Sequence, residues 1–225
     1  MRKPAYKHTL NLERDKLTHE QRDHQTEKGS IHNQHELIRP IPRKIKENRR
    51  TNPKLACEAL ISAYAYTYDF KAIIIRLANI IGPRSKHGVI HDFIQKLNKN
   101  PTQLEILGDG TQNKSYLYIT DCIKAMLLTL EKSTEQVDVF NVGSEDQVTV
   151  TEIAQTITHE MGLTSVEFKL TGGVDGGRGW KGDVKNMLLD IDKIKALGWK
   201  PKHNSQQAIK KTVRTFTRKR FKRLI

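Results

Sequence analysis

Hydrophobic and polar positions alternate along this chain in several distinct rhythms. Leu55, Ala56, Ala59, Leu60 and Ala63 fall on one helical stripe, so residues 54–69 predict an amphipathic helix. The run Lys71-Ala-Ile-Ile-Ile-Arg-Leu77 is short, apolar and β-branched, the pattern of a strand covered on both faces. Gly82-Pro83 breaks that run, and Val89, Ile90, Phe93, Ile94 and Leu97 return to helical spacing. Residues 104–107 and 115–119 predict strands on either side of the turn Gly108-Asp109-Gly110, in which Asp109 reads as turn chemistry. Tyr116 and Tyr118 read as sheet residues rather than catalytic ones.

Thr120 or Asp121 is placed to cap a helix reaching about Lys132, because a side-chain oxygen there accepts an orphan N–H of the first turn. A strand follows at 137–142. Thr149 or Thr151 starts a helix through Ile153, Ala154, Ile157 and Met161, and 166–170 suits a strand. After a glycine-dense loop at 172–179, Asp190 or Asp192 caps a short helix that Gly198 ends, and a last helix runs from Ser205 to about Thr217. Strands alternating with helices over this length predict an α/β fold.

The first 53 residues follow neither rhythm. They hold five of the nine histidines, one aromatic residue (Tyr6) and one glycine (Gly29), and stretches such as 18–29 are almost wholly polar. Such a segment buries too little apolar surface to offset its ordering entropy, so disorder or loose helix is expected, and its histidines read as solvated residues rather than metal ligands. The abrupt change just before Lys54 prompts the expectation that 1–53 is unrelated or out-of-frame sequence. The chain thus divides into 1–53, a body at 54–209 and a basic tail at 210–225.

Charge sharpens that division. The formal net charge is +14. Residues 1–53 carry 13 Lys/Arg and 7 Asp/Glu, residues 210–225 carry 8 Lys/Arg and no acid, and the body holds 18 of each sign. A nucleic-acid-binding fold is expected to carry its positive patch on the folded body, so nucleic acid is not the expected partner. The alternative is a basic interaction protein that uses 210–225, where phenylalanines interleave with cations, on nucleic acid or acidic surfaces. No apolar run exceeds four residues, far short of a membrane span. Neither a secretory signal nor a disulfide framework is read, since only Cys57 and Cys122 are present. A reducing, cytoplasmic setting is expected.

Five blocks carry a family resemblance: Lys54-Leu-Ala-Cys-Glu58, Arg76-Leu-Ala-Asn-Ile-Ile-Gly-Pro83, Gly108-Asp-Gly-Thr-Gln-Asn-Lys-Ser-Tyr-Leu-Tyr-Ile-Thr-Asp121, Asn141-Val-Gly-Ser144 and Gly198-Trp-Lys-Pro201. In this order they resemble the C-terminal half of the NAD-dependent epimerase/dehydratase family, the extended short-chain dehydrogenases, nearest to archaeal-type UDP-glucose 4-epimerases. The resemblance covers about 54–215. It implies a partial Rossmann-type parallel sheet followed by an α/β nucleotide-sugar-binding region. It also implies a reaction in which a UDP-hexose is oxidised at C4, the keto sugar turns over and hydride returns to its other face.

The same resemblance assigns residues. Lys54 matches the lysine of a Tyr-x-x-x-Lys pair, catalytic and cofactor-binding, whose ammonium hydrogen-bonds the nicotinamide ribose and lowers the tyrosine's pKa. The tyrosine position is Arg50, and a guanidinium that stays protonated cannot act as the base. No glycine-rich nucleotide loop is found in 1–53. NAD, the cofactor of intact relatives, is therefore expected not to bind this chain, which is expected to be inactive alone. Asn79 matches an asparagine reaching the substrate's phosphates, although a turn asparagine before Gly82-Pro83 explains it equally. Val89 and Ile90 match a stretch near the uracil, or are helical core. Lys114 stands where the family has a diphosphate-contacting arginine, so a weaker grip on phosphate is expected. Arg178 lies near a second phosphate-binding arginine; in the spacing Arg-x-Gly-Asp that residue would be Trp180. Trp180 packs beside the nucleotide or covers the core. The expected partners are a weakly bound UDP-hexose and either a second copy or the missing N-terminal half.

Overall fold

The computed structural model describes residues 51–221, all within the compact unit Lys44–Ile225. The expectations for residues 1–50, Arg50 included, fall outside the described residues, as do those for 222–225. Helix α1 (Thr51–Tyr68) leads into strand β1 (Ala72–Leu77) and the short β2 (Asn79–Ile81). Helix α2 (Val89–Lys99) is followed by β3 (Gln103–Ile106), β4 (Asn113–Lys114), β5 (Tyr116–Tyr118) and helix α3 (Ile119–Lys132). Then come β6 (Val137–Val142), β7 (Val148–Thr149), helix α4 (Val150–Glu160) and β8 (Glu167–Leu170). The chain closes with β9 (Asn186–Met187), α5 (Asp192–Ala196) and α6 (Ser205–Phe221).

The fold is α/β, and its strand pairs are mostly parallel. β1 pairs with β6, β2 with β5 and β3 with β8, all parallel. β4 sits between β7, antiparallel to it, and β9, parallel to it. Two apolar clusters hold these pairs. In the first, Ile90, Phe93, Ile94 and Leu97 of α2 meet Ile153, Ala154 and Ile157 of α4, Leu104 and Ile106 of β3, and Ala208, Ile209 and Val213 of α6. In the second, Phe140 and Val142 of β6 meet Cys122 and Ala125 of α3, Ile194 of α5 and Trp199.

Local chemistry explains several boundaries. Gly88 precedes α2 at φ 91, a left-handed conformation that costs glycine little. Thr149 caps α4 through a reciprocal pair: the Glu152 N–H donates to Thr149 Oγ1 at 3.2 Å, and the Thr149 N–H donates to Glu152 Oε2 at 2.7 Å. Gly198 follows α5 at φ 91. Asp138 is buried on β6, where it accepts the Ser133 hydroxyl at 2.8 Å and pairs with Lys193 of α5.

Three expectations are corrected. The stripe Leu55, Ala56, Ala59, Leu60 and Ala63 is exposed, and Ala65 is the buried residue of α1 among its described side chains. Glu58, Ser62 and Ala65 share one side of the helix and are its half-buried and buried residues, so the face that docks is the more polar one and the longer apolar side chains point outward. Asp121 and Thr120 do not cap α3: its N-cap is Tyr118, without a side-chain bond, and Asp121 lies buried in the first turn. The strand expected at 115–119 is the shorter β5, whose three side chains are all buried, and Ile119 already belongs to α3.

The expected division at 209/210 falls inside α6, where Thr212 and Val213 are fully buried. Lys211 reaches the Tyr118 ring at 4.4 Å, and Arg214 forms a two-bond pair with Glu160. Two of the tail's cations therefore serve internal contacts. No described helix is long and apolar enough to cross a membrane. The capping pair gives a direct test: Thr149→Ala is expected to lower stability by about 1 kcal/mol, measured by urea unfolding followed by circular dichroism.

Candidate functional site

Two loops come together beside β4. The first, residues 107–112, leaves β3 and turns at Gly108 (φ 95) and Gly110 (φ 78). Asp109 stabilises it locally: its Oδ1 accepts the Thr111 N–H at 2.9 Å and the Thr111 hydroxyl at 2.7 Å. The turn chemistry read at Asp109 is thus present. The Gly110 carbonyl accepts the Thr151 N–H at 3.3 Å and its hydroxyl at 3.0 Å, which ties the loop to the first turn of α4.

The second loop spans 172–183. Val174 and Arg178 exchange backbone hydrogen bonds of 2.9 and 2.8 Å around Asp175, Gly176 and Gly177, all with positive φ. This tight hairpin lies against the first loop through the Asp109 N–H, which donates to the Gly177 carbonyl at 2.9 Å. A Cβ at Gly177 would stand 1.8 Å from Asp109 Oδ2, so the approach demands glycine there. A turn then returns the chain, with the Asp183 N–H donating to the Trp180 carbonyl at 3.0 Å.

Charged groups line the seam. Lys114 Nζ lies 2.7 Å from Asp183 Oδ1, and both side chains are largely buried, at 17% and 4% exposure. The other Asp183 oxygen accepts the Gly179 N–H at 3.3 Å. Trp180 is half exposed, its ring centroid 5.7 Å from Lys114 Nζ. Lys185 Nζ bonds Asp109 Oδ2 at 2.8 Å and the Gly176 carbonyl at 2.7 Å. Hydrogen bonds from Lys185 and then Thr111 hold the Asp109 carboxyl well below the usual carboxylate range. Burial, and secondarily the Asp183 charge, pushes the Tyr116 phenol up. Among the described residues two buried side-chain polar atoms lack hydrogen-bond partners, Arg178 Nε and Gln112 Oε1.

The residues singled out from the sequence are only partly brought together. Lys114 and Arg178 share this seam: Gly179, beside Arg178, donates to the carboxylate that Lys114 holds. Asn79 is half-buried and its amide donates to the Ser115 carbonyl at 3.1 Å, next to Lys114 in the chain. Ile90 is enclosed in the first apolar cluster, at 4% exposure, and Val89 packs against that cluster half-buried. Ile90 is therefore a core residue. Lys54 is exposed on α1 and makes no hydrogen bond or ion pair with a described residue. Trp180 covers no core.

Sequence reasoning missed Lys185 and Gln112, and took Asp183 only as the acid of the Arg-x-Gly-Asp spacing. The pairs Lys114–Asp183 and Lys185–Asp109 join residues 69 and 76 apart, separations that leave no local pattern. Asp121 was placed as a cap but instead accepts the His203 N–H at 3.1 Å and lies 2.8 Å from His203 Nδ1. Among the described residues no group of His, Cys, Asp and Glu could hold a metal.

Comparison with known proteins adds relatives to this geometry. Residues 52–143 match the NAD dependent epimerase/dehydratase family. The chain is 33% identical over 180 residues to a protein assigned as a UDP-glucose 4-epimerase in Methanocaldococcus jannaschii, covering 75% of this chain and 55% of that protein. It is 32% identical over 176 residues to the mouse dTDP-D-glucose 4,6-dehydratase, covering 76% and 49%. Among solved structures it is similar to a UDP-galactose 4-epimerase, with a TM-score of 0.64, 37% identity and coverage of 74% and 52%. It is also similar to the Thermotoga maritima UDP-glucose 4-epimerase solved with UDP-glucose, with a TM-score of 0.61, 30% identity and the same coverage. The chain spans about half the length of these relatives.

Because the folded-state pKa of Asp109 lies below its unfolded value, its pairing contributes stability above the unfolded value and loses it as pH falls through the folded one. Asp109→Asn is expected to lower the thermal midpoint at neutral pH. That difference should shrink steadily as the pH drops below about 4, the ordinary aspartate value, in melting curves recorded across the acid range.

Proposed function

Since the chain belongs to the NAD-dependent epimerase/dehydratase family over residues 52–143, we propose that it is a UDP-glucose 4-epimerase-like chain that keeps the nucleotide-sugar-binding elements. The observation that carries this reading is the seam at β4, where Lys114 and Arg178 meet a glycine-built loop beside Asn79. Lys114 supplies positive charge for a diphosphate, and Arg178 has a buried Nε without a partner. The Asn79 amide orients the chain at Ser115, and Val89, half-buried at the start of α2, is the other residue proposed to face the nucleotide. The half-exposed Trp180 offers an aromatic face beside Lys114. A UDP-hexose is the proposed ligand. It is held weakly, because a lysine lacks the planar two-pronged fork of an arginine.

The cofactor side is different. NAD, when bound to a member of this family, supplies the hydride acceptor. The described residues offer Lys54 for it, and none of their strands runs through a G-x-G-x-x-G turn into a helix. They do not fit a dinucleotide, and no step is derived through one. Arg50 stands at the tyrosine position of the Tyr-x-x-x-Lys pair and cannot take a proton from a sugar hydroxyl. We therefore take the chain to be catalytically incomplete on its own. The apolar side chains exposed on α1 and α3, among them Leu60, Tyr64, Leu127 and Leu130, suit cover by the family's dinucleotide-binding half or by a second copy.

Titration calorimetry of the full chain tests the reading. UDP is expected to bind, and Arg178→Ala to weaken that binding by about tenfold, the effect of losing one charge-assisted contact worth about 1.4 kcal/mol. Absence of UDP binding would sink the proposal. Arg50→Tyr alone is expected to give no interconversion of UDP-glucose and UDP-galactose; measurable turnover would show the chain to be complete.

A further inference from the structure

The cations at the seam are mostly spoken for. Lys185 is held by Asp109 and by the Gly176 carbonyl. Lys114 is held by Asp183, whose second oxygen takes the Gly179 N–H. The Asp183 carboxylate thus occupies an ammonium and a loop amide together, the two kinds of donor a phosphate oxygen uses. It does so at 4% side-chain exposure, where a charge must be well paired to be tolerated.

We propose that Asp183 is a built-in competitor for the phosphates of a nucleoside diphosphate, and that Lys114 becomes available to a ligand only when the carboxylate swings away. The inference rests on the nucleotide-binding reading above and adds a specificity rule to it. A phosphate arriving at Lys114 gains one ion pair while the protein loses another, so the exchange yields little net affinity. Asp183 closes a turn whose preceding residue, Gly182, sits at φ 85, and Trp180, across that turn, is half exposed. Affinity should then depend on the nucleoside and sugar more than on the number of phosphates. The Arg178 guanidinium, whose Nη1 donates to the Asp175 carbonyl at 3.4 Å and whose Nε is buried without a partner, is the cation of the seam that no carboxylate holds among the described residues.

The test is calorimetric titration of the full chain with UDP and with uridine. Asp183→Asn keeps the shape, leaves Lys114 without its counter-charge and is expected to bind UDP about tenfold more tightly, with uridine changed less than about twofold. In Lys114→Met/Asp183→Asn that gain should vanish. UDP binding that is unchanged or weaker in Asp183→Asn would overturn the proposal. Should Asp183→Asn fail to fold, the wild-type protein decides: a UDP-to-uridine affinity ratio below about tenfold agrees, and a larger ratio overturns it. Failure of the wild-type protein to bind UDP at all would remove the nucleotide reading itself, an outcome distinct from normal UDP binding that ignores Asp183.

Discussion

The main chain of Asn113 and Lys114 is hydrogen-bonded on both edges, to β7 on one side and β9 on the other. Those two residues join three distant segments of the sequence. The Asn113 N–H donates to the Lys185 carbonyl at 2.7 Å and the Ser115 N–H to the Met187 carbonyl at 3.0 Å, so β4 cannot shift without dragging β9 and the glycine loop before it. The position of Lys114 is therefore fixed by backbone pairing, which is stiffer than side-chain packing. The two loops beside it inherit that placement.

Legibility in the sequence followed the range of the interactions. Helices α2 and α4 were readable because their apolar residues recur at helical spacing and, for α4, because Thr149 and Glu152 stand three apart. The Asp109 turn was readable because its partner is Thr111, two residues on. The docking face of α1 was not, because it carries Glu58, Ser62 and Ala65 while the longer apolar side chains face outward, the reverse of the usual pattern. Asp121 resembled a cap, since an acid near a helix start usually is one, but its partner His203 lies 82 residues further on. Ile90 matched a family position and proved to be core, because the spacing that makes a helix amphipathic also sends that side chain inward.

Pairing across long separations governs the electrostatics as well. The body at 54–209 is neutral by count, and the seam repeats that balance in miniature, each buried or half-buried acid facing a lysine. A region can thus hold the right cations for a phosphate ligand and still present little net field. The basic end of the chain does not escape this arrangement: Arg214 answers Glu160, and Lys211 lies over Tyr118 and within 3.2 Å of His203 Nε2.

Helix α1 is fastened differently from the rest. Ala65 is the buried one among its described side chains; the helix is also held by the Glu58–Arg76 pair, by Gln136 reaching the Ala65 carbonyl, and by the Phe70 N–H that donates to the same carbonyl. A segment with so little buried apolar surface opens at a lower free energy than the cores around Phe93 and Phe140. Its amides would exchange with solvent in partly opened forms that leave β4 and its loops intact. Lys54 rides on that helix, so the lysine and the phosphate-facing seam belong to different cooperative units, and the first can come loose while the second stays folded.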